Sequence, residues 1–289
     1  MIAMKISLVM CTRNRSAILL RFSISLSNQL RQVDEYIIID SSDISIDNTD
    51  DFVKIKLLFP NLIYKHTSPG LTYQRNQGVT MVTGDVVFFF DDDIVLEKEY
   101  IKNIISIFER NSQYAGGMGQ IPVNPTSYKG KIKNEINKFF MLPNKKSDGK
   151  FYASGFAKMP HGGQKFLEVE VLSGGIAAYK TDILRKYKFD EYFSGYGFME
   201  DAEYSRRISK KHKLFYNPQA ICYHQHASGG RGDSYQLGMM VMKNYIYINK
   251  KHFSSKIAFC WSVIGMFLTT LFFERNMKKI KGYFHGIIK

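Results

Sequence analysis

Phe88-Phe89-Phe90 runs directly into Asp91-Asp92-Asp93. A stretch of bulky apolar residues without alternation is a strand buried on both faces, and three carboxylates cannot follow it into a core. The junction therefore marks the end of a buried strand. Two earlier stretches share the plan: Lys5–Cys11 is followed by Thr12-Arg13-Asn14, and Tyr36–Asp40 by Ser41-Ser42. Leu62–His66 predicts a further strand. Leu19, Phe22, Leu26 and Leu30 recur at helical spacing, Thr72–Val82 reads as a helix, and Ile101, Ile104, Ile105 and Phe108 mark another. Buried strands alternating with helices predict an α/β fold, a Rossmann-like, mostly parallel sheet flanked by helices. In such sheets ligands bind beyond the carboxyl ends of the strands, where these polar residues gather.

The 289 residues, 45% of them hydrophobic, suffice for one large core or two modest ones. A charged fraction of 23% excludes a disordered chain and a polytopic membrane protein. The net charge of +14 suits a polyanion or an anionic membrane as partner. From Lys243 to Lys289 nine Lys/Arg face one acid, Glu274, so the excess is expected mainly there. Cys11, Cys222 and Cys260 form no CxxC pair and read as buried free thiols in a reducing compartment. The apolar stretch Ile6–Cys11 is cut short by Thr12-Arg13-Asn14-Arg15, with no small-residue cleavage site after it. It reads as a strand and not as an export signal.

Asn124 to Glu168, with Pro125, Pro143, Pro160 and many lysines, reads as a long excursion carrying one helix, Lys131–Phe140, and suited to shaping an acceptor site. Order returns at Val169–Leu172, with helices at Thr181–Tyr187 and Asp201–Lys211 and short strands at Leu214–Tyr216 and Ala220–Tyr223. Residues 1–232 are thus expected to form a catalytic domain, 1–122 holding a nucleotide and 123–232 an acceptor. A basic helical C-terminal extension, 233–289, follows. Within it Ile257–Phe273 is uncharged over 17 residues, at the lower limit of about 17 for a membrane span. Ser262, Gly265, Thr269 and Thr270 weaken a span, and flanking lysines favour a helix lying in the membrane interface. A helix packed on a neighbour stays open as an alternative.

Three adjacent carboxylates repel one another, and hard oxygen ligands at a strand end suit Mn²⁺ or Mg²⁺ bridging to phosphates. A solvated loop is the plainer alternative. Asp40 can accept hydrogen bonds from a base or ribose, or cap the next element. Thr12, Arg13 and Asn14 offer an anion-friendly loop ahead of a helix, or simply a solvated basic one. No GxxxxGK[ST] occurs, and Pro122 stands where Gly117-Met118-Gly119 would need a third glycine, so both phosphate-loop fingerprints fail. Arg231-Gly232-Asp233 is taken as chance.

Ser7 to Arg15 resembles the opening of the family-2 glycosyltransferases with the GT-A fold. Ile38-Ile39-Asp40-Ser41-Ser42 is similar to their second strand, Gly70 to Gly78 to their "G…ARN.G" helix, and Gly84 to Asp93 to the strand leading into the DxD motif. Ser173-Gly174-Gly175, Phe189-Asp190-Glu191, Glu200 to Arg207, and Pro218 to His224 resemble the acceptor-side blocks and the closing strand. The order is preserved over residues 5 to 228. Departures are Cys11 and Arg13 in the first loop, Ser41-Ser42 after Asp40, and a third aspartate that blurs the DxD register.

The resemblance implies inverting transfer of a sugar from a nucleotide-diphosphate donor to an acceptor hydroxyl, in bacterial surface polysaccharide or lipid-linked glycan synthesis. It implies donor contacts from Thr12, Arg13, Asn14, Asp40, Arg75, Asp91 and Asp92. Asp91 and Asp93 form the outer metal pair, joined by His224 as in some relatives; His226 is a lesser candidate. Gly174, Gly175 and Glu200 meet the acceptor, and Asp201 is the general base, although both acids also suit a helix N-terminus electrostatically. Ser228 to Gly232 is expected to act as a lid. The expected partners are a donor, a glycan or lipid-linked acceptor and an anionic membrane, with no nucleic acid. The expected location is cytoplasmic, peripheral on the inner face of the plasma membrane. A metal-dependent nucleotidyltransferase, or a nucleic-acid or membrane binding module, are the competing readings.

Overall fold

The computed structural model describes residues 3–123, 127–144, 148–225 and 233–288. They fall into two compact units, Met1–Pro122 with Gly163–Ser228, and Val123–Gly162 with Gly229–Lys289. The sequence reading keeps 123–162 with the acceptor half and draws its boundary at 232; the compact units divide the chain differently.

The first unit opens with β1 (Ile6–Thr12), α1 (Ser16–Ser27), β2 (Glu35–Asp40), α2 (Asp50–Leu58), β3 (Ile63–His66), α3 (Leu71–Val79) and β4 (Val86–Phe90). β1 lies between β2 and β4, and β2 pairs β3, all parallel. Thr12 is in register with Asp40, and Met10 with Phe90. The three polar strand ends therefore emerge along one edge. Their bodies are uninterrupted core: Leu8, Met10, Ile37, Ile38, Ile39 and Phe88 are fully buried. Helices supply the other face of that core through Leu19, Phe22 and Leu26 of α1 and Phe52 and Ile55 of α2.

The unit continues through β5 (Ile94–Leu96), α4 (Tyr100–Arg110) and β6 (Tyr114–Gln120). The second unit takes in α5 (Tyr128–Phe139), and the chain then returns to the first with β7 (Leu167–Val169), β8 (Ala177–Lys180), α6 (Thr181–Lys186), α7 (Glu200–Ser209) and β9 (Lys213–His224). The strand order is β3-β2-β1-β4-β8-β6-β9-β5, with β7 on β9. β6 and β9 run parallel, whereas β8 joins β4 and β6 antiparallel, and β5 and β7 join β9 antiparallel. The result is a mixed sheet flanked by helices.

The two short strands expected at 214–216 and 220–223 are one strand. Its start pairs β6 and β7 and its end pairs β5, with a register shift near Pro218 where it changes partner. β6 escapes a periodicity reading because its sequence is Tyr-Ala-Gly-Gly-Met-Gly-Gln. A Cβ at Gly117 would overlap the ring of Phe215, so glycine is what lets an aromatic side chain lie on this strand.

The second unit adds α8 (Ser234–His252), α9 (Lys256–Thr269), which continues as a π-helical turn over Thr270–Glu274, and α10 (Met277–Ile288). α5 belongs here because Trp261 Nε1 donates to the Phe139 carbonyl at 2.9 Å and Ser262 Oγ to that of Phe140 at 2.8 Å. All three cysteines are free, but only Cys222 is fully buried; Cys11 is half-buried and Cys260 is exposed, correcting the expectation of buried thiols.

Candidate active site

The carboxyl ends of β1, β2 and β4 set the floor of the site. Asp92 points back into the fold, where Thr12 Oγ1 donates to it at 2.9 Å and Arg15 Nη1 at 3.0 Å. Asp91 and Asp93 are left as the outer pair. Antiparallel pairing of β5 with β9 places Ile94 opposite His224, so the imidazole arrives beside Asp93 with Nε2 3.3 Å from Oδ1. One ligand atom from each of Asp91, Asp93 and His224 lies within 4.8 Å of the others.

The Gly174-Gly175 dipeptide, just ahead of β8, lies against this group. Asp91 N–H donates to the Gly175 carbonyl at 3.0 Å, and a Cβ at Gly175 would overlap the Asp91 carboxylate. Gly174 N–H donates to Asp201 Oδ2 at 3.0 Å. Asp201 and Glu200 open α7, whose first turn also holds Glu203; acids there complement the helix dipole. The entry residue, Met199, has φ 70°, a left-handed conformation that a side chain of this size adopts at a cost.

Arg75 is the cation behind this cluster. It is buried, ion-pairs with Glu200, donates to the Gly174 carbonyl at 3.1 Å, and lies over the rings of Phe89 and Phe189. Its guanidinium thus ties α3 to the start of α7 and to the glycine pair. Glu200 Oε1 takes the arginine, while Oε2 is buried with no partner.

Asp40 is also spoken for. Its carboxylate accepts from Ser42 N–H at 2.9 Å, Ile46 N–H at 3.2 Å and Tyr64 O–H at 2.7 Å, and it has no exposed surface. It shapes the loop after β2. Arg13 and Asn14 both hold Asp43, at 2.9 and 2.8 Å, near the surface. Gln74 was not foreseen. It is buried, donates to the carbonyls of Ile39 at 2.8 Å and Thr12 at 3.3 Å, and so ties α3 to two strand ends. Nothing local distinguishes it from a surface glutamine. Arg15 and Tyr64 likewise acquire their roles only from the fold. His226 and the expected lid, Ser228 to Gly232, lie outside the described residues.

Burial raises Asp91 to about 6; Arg75 opposes this, and Asp93, Asp92 and Asp201 reinforce it. Burial also raises Asp92, Glu200 and Asp201, against the Arg15, Arg75 and backbone hydrogen bonds that favour their charged forms. Five carboxylates thus gather around too little positive charge. A hard divalent cation fits that shortage, and two carboxylates with an imidazole form a suitable donor set.

The profile of Glycosyl transferase family 2 matches residues 7–188. A curated relative, the glucosyl-dolichyl phosphate glucuronosyltransferase of Haloferax volcanii, is 31% identical over 113 residues, which are 37% of this chain and 35% of that protein. The chain thus matches about a third of that relative's length. GalNAc-T7 with UDP, GalNAc and Mn²⁺ superposes with a TM-score of 0.62 at 17% identity, over 86% of this chain and 48% of that one. The mannosyltransferase PcManGT from Pyrobaculum calidifontis, in complex with GDP-Man and Mn²⁺, gives 0.60 at 11% identity, over 99% and 86%. These two likenesses carry the fold alone. The profile match takes in the strand ends, the acidic triplet and the glycine pair, well over half the chain, and the chain belongs to glycosyl transferase family 2.

Proposed function

We propose that the protein moves a sugar from a nucleotide-diphosphate donor to an acceptor hydroxyl with inversion at the anomeric carbon. The observation that carries this reading is the meeting of Asp91 and Asp201 on one glycine pair. That proximity supports a leaving-group site on Asp91 and a proton acceptor on Asp201 lying side by side.

Asp201 Oδ atoms take the proton of the attacking hydroxyl, as the new glycosidic bond forms and the donor's bond to the diphosphate breaks. Arg75 and the Gly174 N–H keep that carboxylate oriented and favour its charged form. Asp91, Asp93 and His224 would hold Mn²⁺ or Mg²⁺, which supplies Lewis-acid stabilisation of charge on the departing diphosphate. The partner molecules named with the mannosyltransferase and GalNAc-T7, a nucleotide or nucleotide sugar and Mn²⁺, support the same assignment. The acceptor is a glycan or lipid-linked glycan of a bacterial surface polysaccharide, met at the inner face of the plasma membrane.

The test is a screen of nucleotide sugars with Mn²⁺, scored by release of nucleoside diphosphate. Metal-dependent turnover that disappears in Asp93→Ala supports the reading. Turnover retained in that variant overturns the metal assignment.

A further inference from the structure

The two compact units differ completely in charge. The second, Val123–Gly162 with Gly229–Lys289, contains eighteen Lys/Arg against four Asp/Glu, whereas the first contains twenty-two of each. The whole net charge of +14 therefore belongs to the second unit, and 123–162 contributes to it alongside the C-terminal helices.

The same unit presents an apolar stripe. Ile257, Trp261, Ile264 and Leu268 of α9 follow a four-three-four spacing, which puts them on one helical face, and all four are exposed. The stripe extends sideways through rings: Phe139 of α5 is 65% exposed and lies 5.2 Å from Trp261, and Phe284 of α10 is 55% exposed and lies 4.7 Å from Phe267. The opposite face of α9 is committed to its own unit through Ala258, Ser262, Gly265, Met266 and Thr269.

We infer that this face of the second unit docks on an anionic lipid bilayer, with α9 lying in the interface plane. Lys256–Glu274 is long and apolar enough to cross a membrane by length and composition. Crossing would strip Ser262 from the Phe140 carbonyl and break the Glu274 ion pairs with Lys133 and Lys279. A second copy is the other possible cover, but it would bring one basic surface against another. Anionic headgroups complement the charge, and acyl chains accept the stripe. The inference deepens the membrane part of the proposed function, and its test uses no donor, so failed docking and failed transfer are separate results.

Trp261 is the only tryptophan and therefore a built-in reporter. The full chain is titrated with phosphatidylcholine vesicles with and without phosphatidylglycerol, following Trp261 emission and co-sedimentation. A blue shift and sedimentation confined to the anionic vesicles, reversed by high salt, are expected. Ile264→Asp with Leu268→Asp should cut binding about tenfold or more while far-UV circular dichroism stays unchanged. Equal binding to neutral vesicles overturns the proposal, as does release only by detergent, which would mark a span. A blue shift that grows with protein concentration and needs no vesicles overturns it in favour of self-association.

Discussion

Asp201 and Asp91 meet on a single dipeptide: the Gly174 N–H donates to Asp201 Oδ2 at 3.0 Å, and the Asp91 carboxylate lies where a Cβ on Gly175 would stand. The glycine pair is thus a spacer whose thinness sets how closely the two carboxylates approach.

Gly175→Ala should accordingly displace Asp91 and weaken Mn²⁺ binding by about 10–100-fold, the range seen when groups supporting metal ligands are altered. Calorimetric titration of the metal checks this. Wild-type affinity in the variant would mean that Asp91 is not a ligand.

Asp201→Asn keeps an oxygen for the Gly174 N–H but removes the proton acceptor. Transfer should fall by about 10²–10⁴-fold, the usual worth of a general base, with nucleotide affinity unchanged. A parallel loss of nucleotide binding would instead assign Asp201 to the donor side.

Arg75 and Glu200 are 3% and 6% exposed, so removing one charge strands the other. Arg75→Met should cost about 3–5 kcal/mol in urea unfolding. Adding Glu200→Gln should recover most of that loss. If the double variant is as unstable as the single one, the stranded carboxylate is not the cause.

Glu35 predicts an acid limb of stability. Burial would raise its carboxyl, yet hydrogen bonds from Ser7, Thr83 and Lys5 outweigh this and hold it at about 2, against an ordinary 4.5. A folded value below the unfolded one means that the unfolded chain takes up the proton first. The contribution is complete above pH 4.5 and is lost as pH falls toward 2. Glu35→Gln should flatten the dependence of Tm on pH across that window; an unaltered slope would assign the acid limb to other carboxylates.

Much of the edge formed by the carboxyl ends of β1, β2 and β4 was legible from residue order. The strands expected at 5–11, 36–40 and 85–90 appear at Ile6–Thr12, Glu35–Asp40 and Val86–Phe90, because an apolar run that must be buried on both faces has few alternatives. β5 and β8, three and four residues long, were missed. Residue type did not disclose which partners Asp40 and Arg75 find within the chain: only the fold brings Tyr64 to the one carboxylate and Glu200 to the guanidinium.

Residue order by itself determined where the chain must leave its core, since a run such as Phe88-Phe89-Phe90 cannot be solvated and the acids after it cannot be buried uncompensated. Tertiary structure alone decided which distant groups those acids meet. His224 reaches Asp93 through the pairing of β5 with β9, and Asp201 reaches Asp91 across a glycine pair. It also gathered two separated stretches of lysines into one unit carrying all the net charge. Strand pairing and helix packing join residues far apart along the chain, and local hydrophobic period carries no record of which partner each will find.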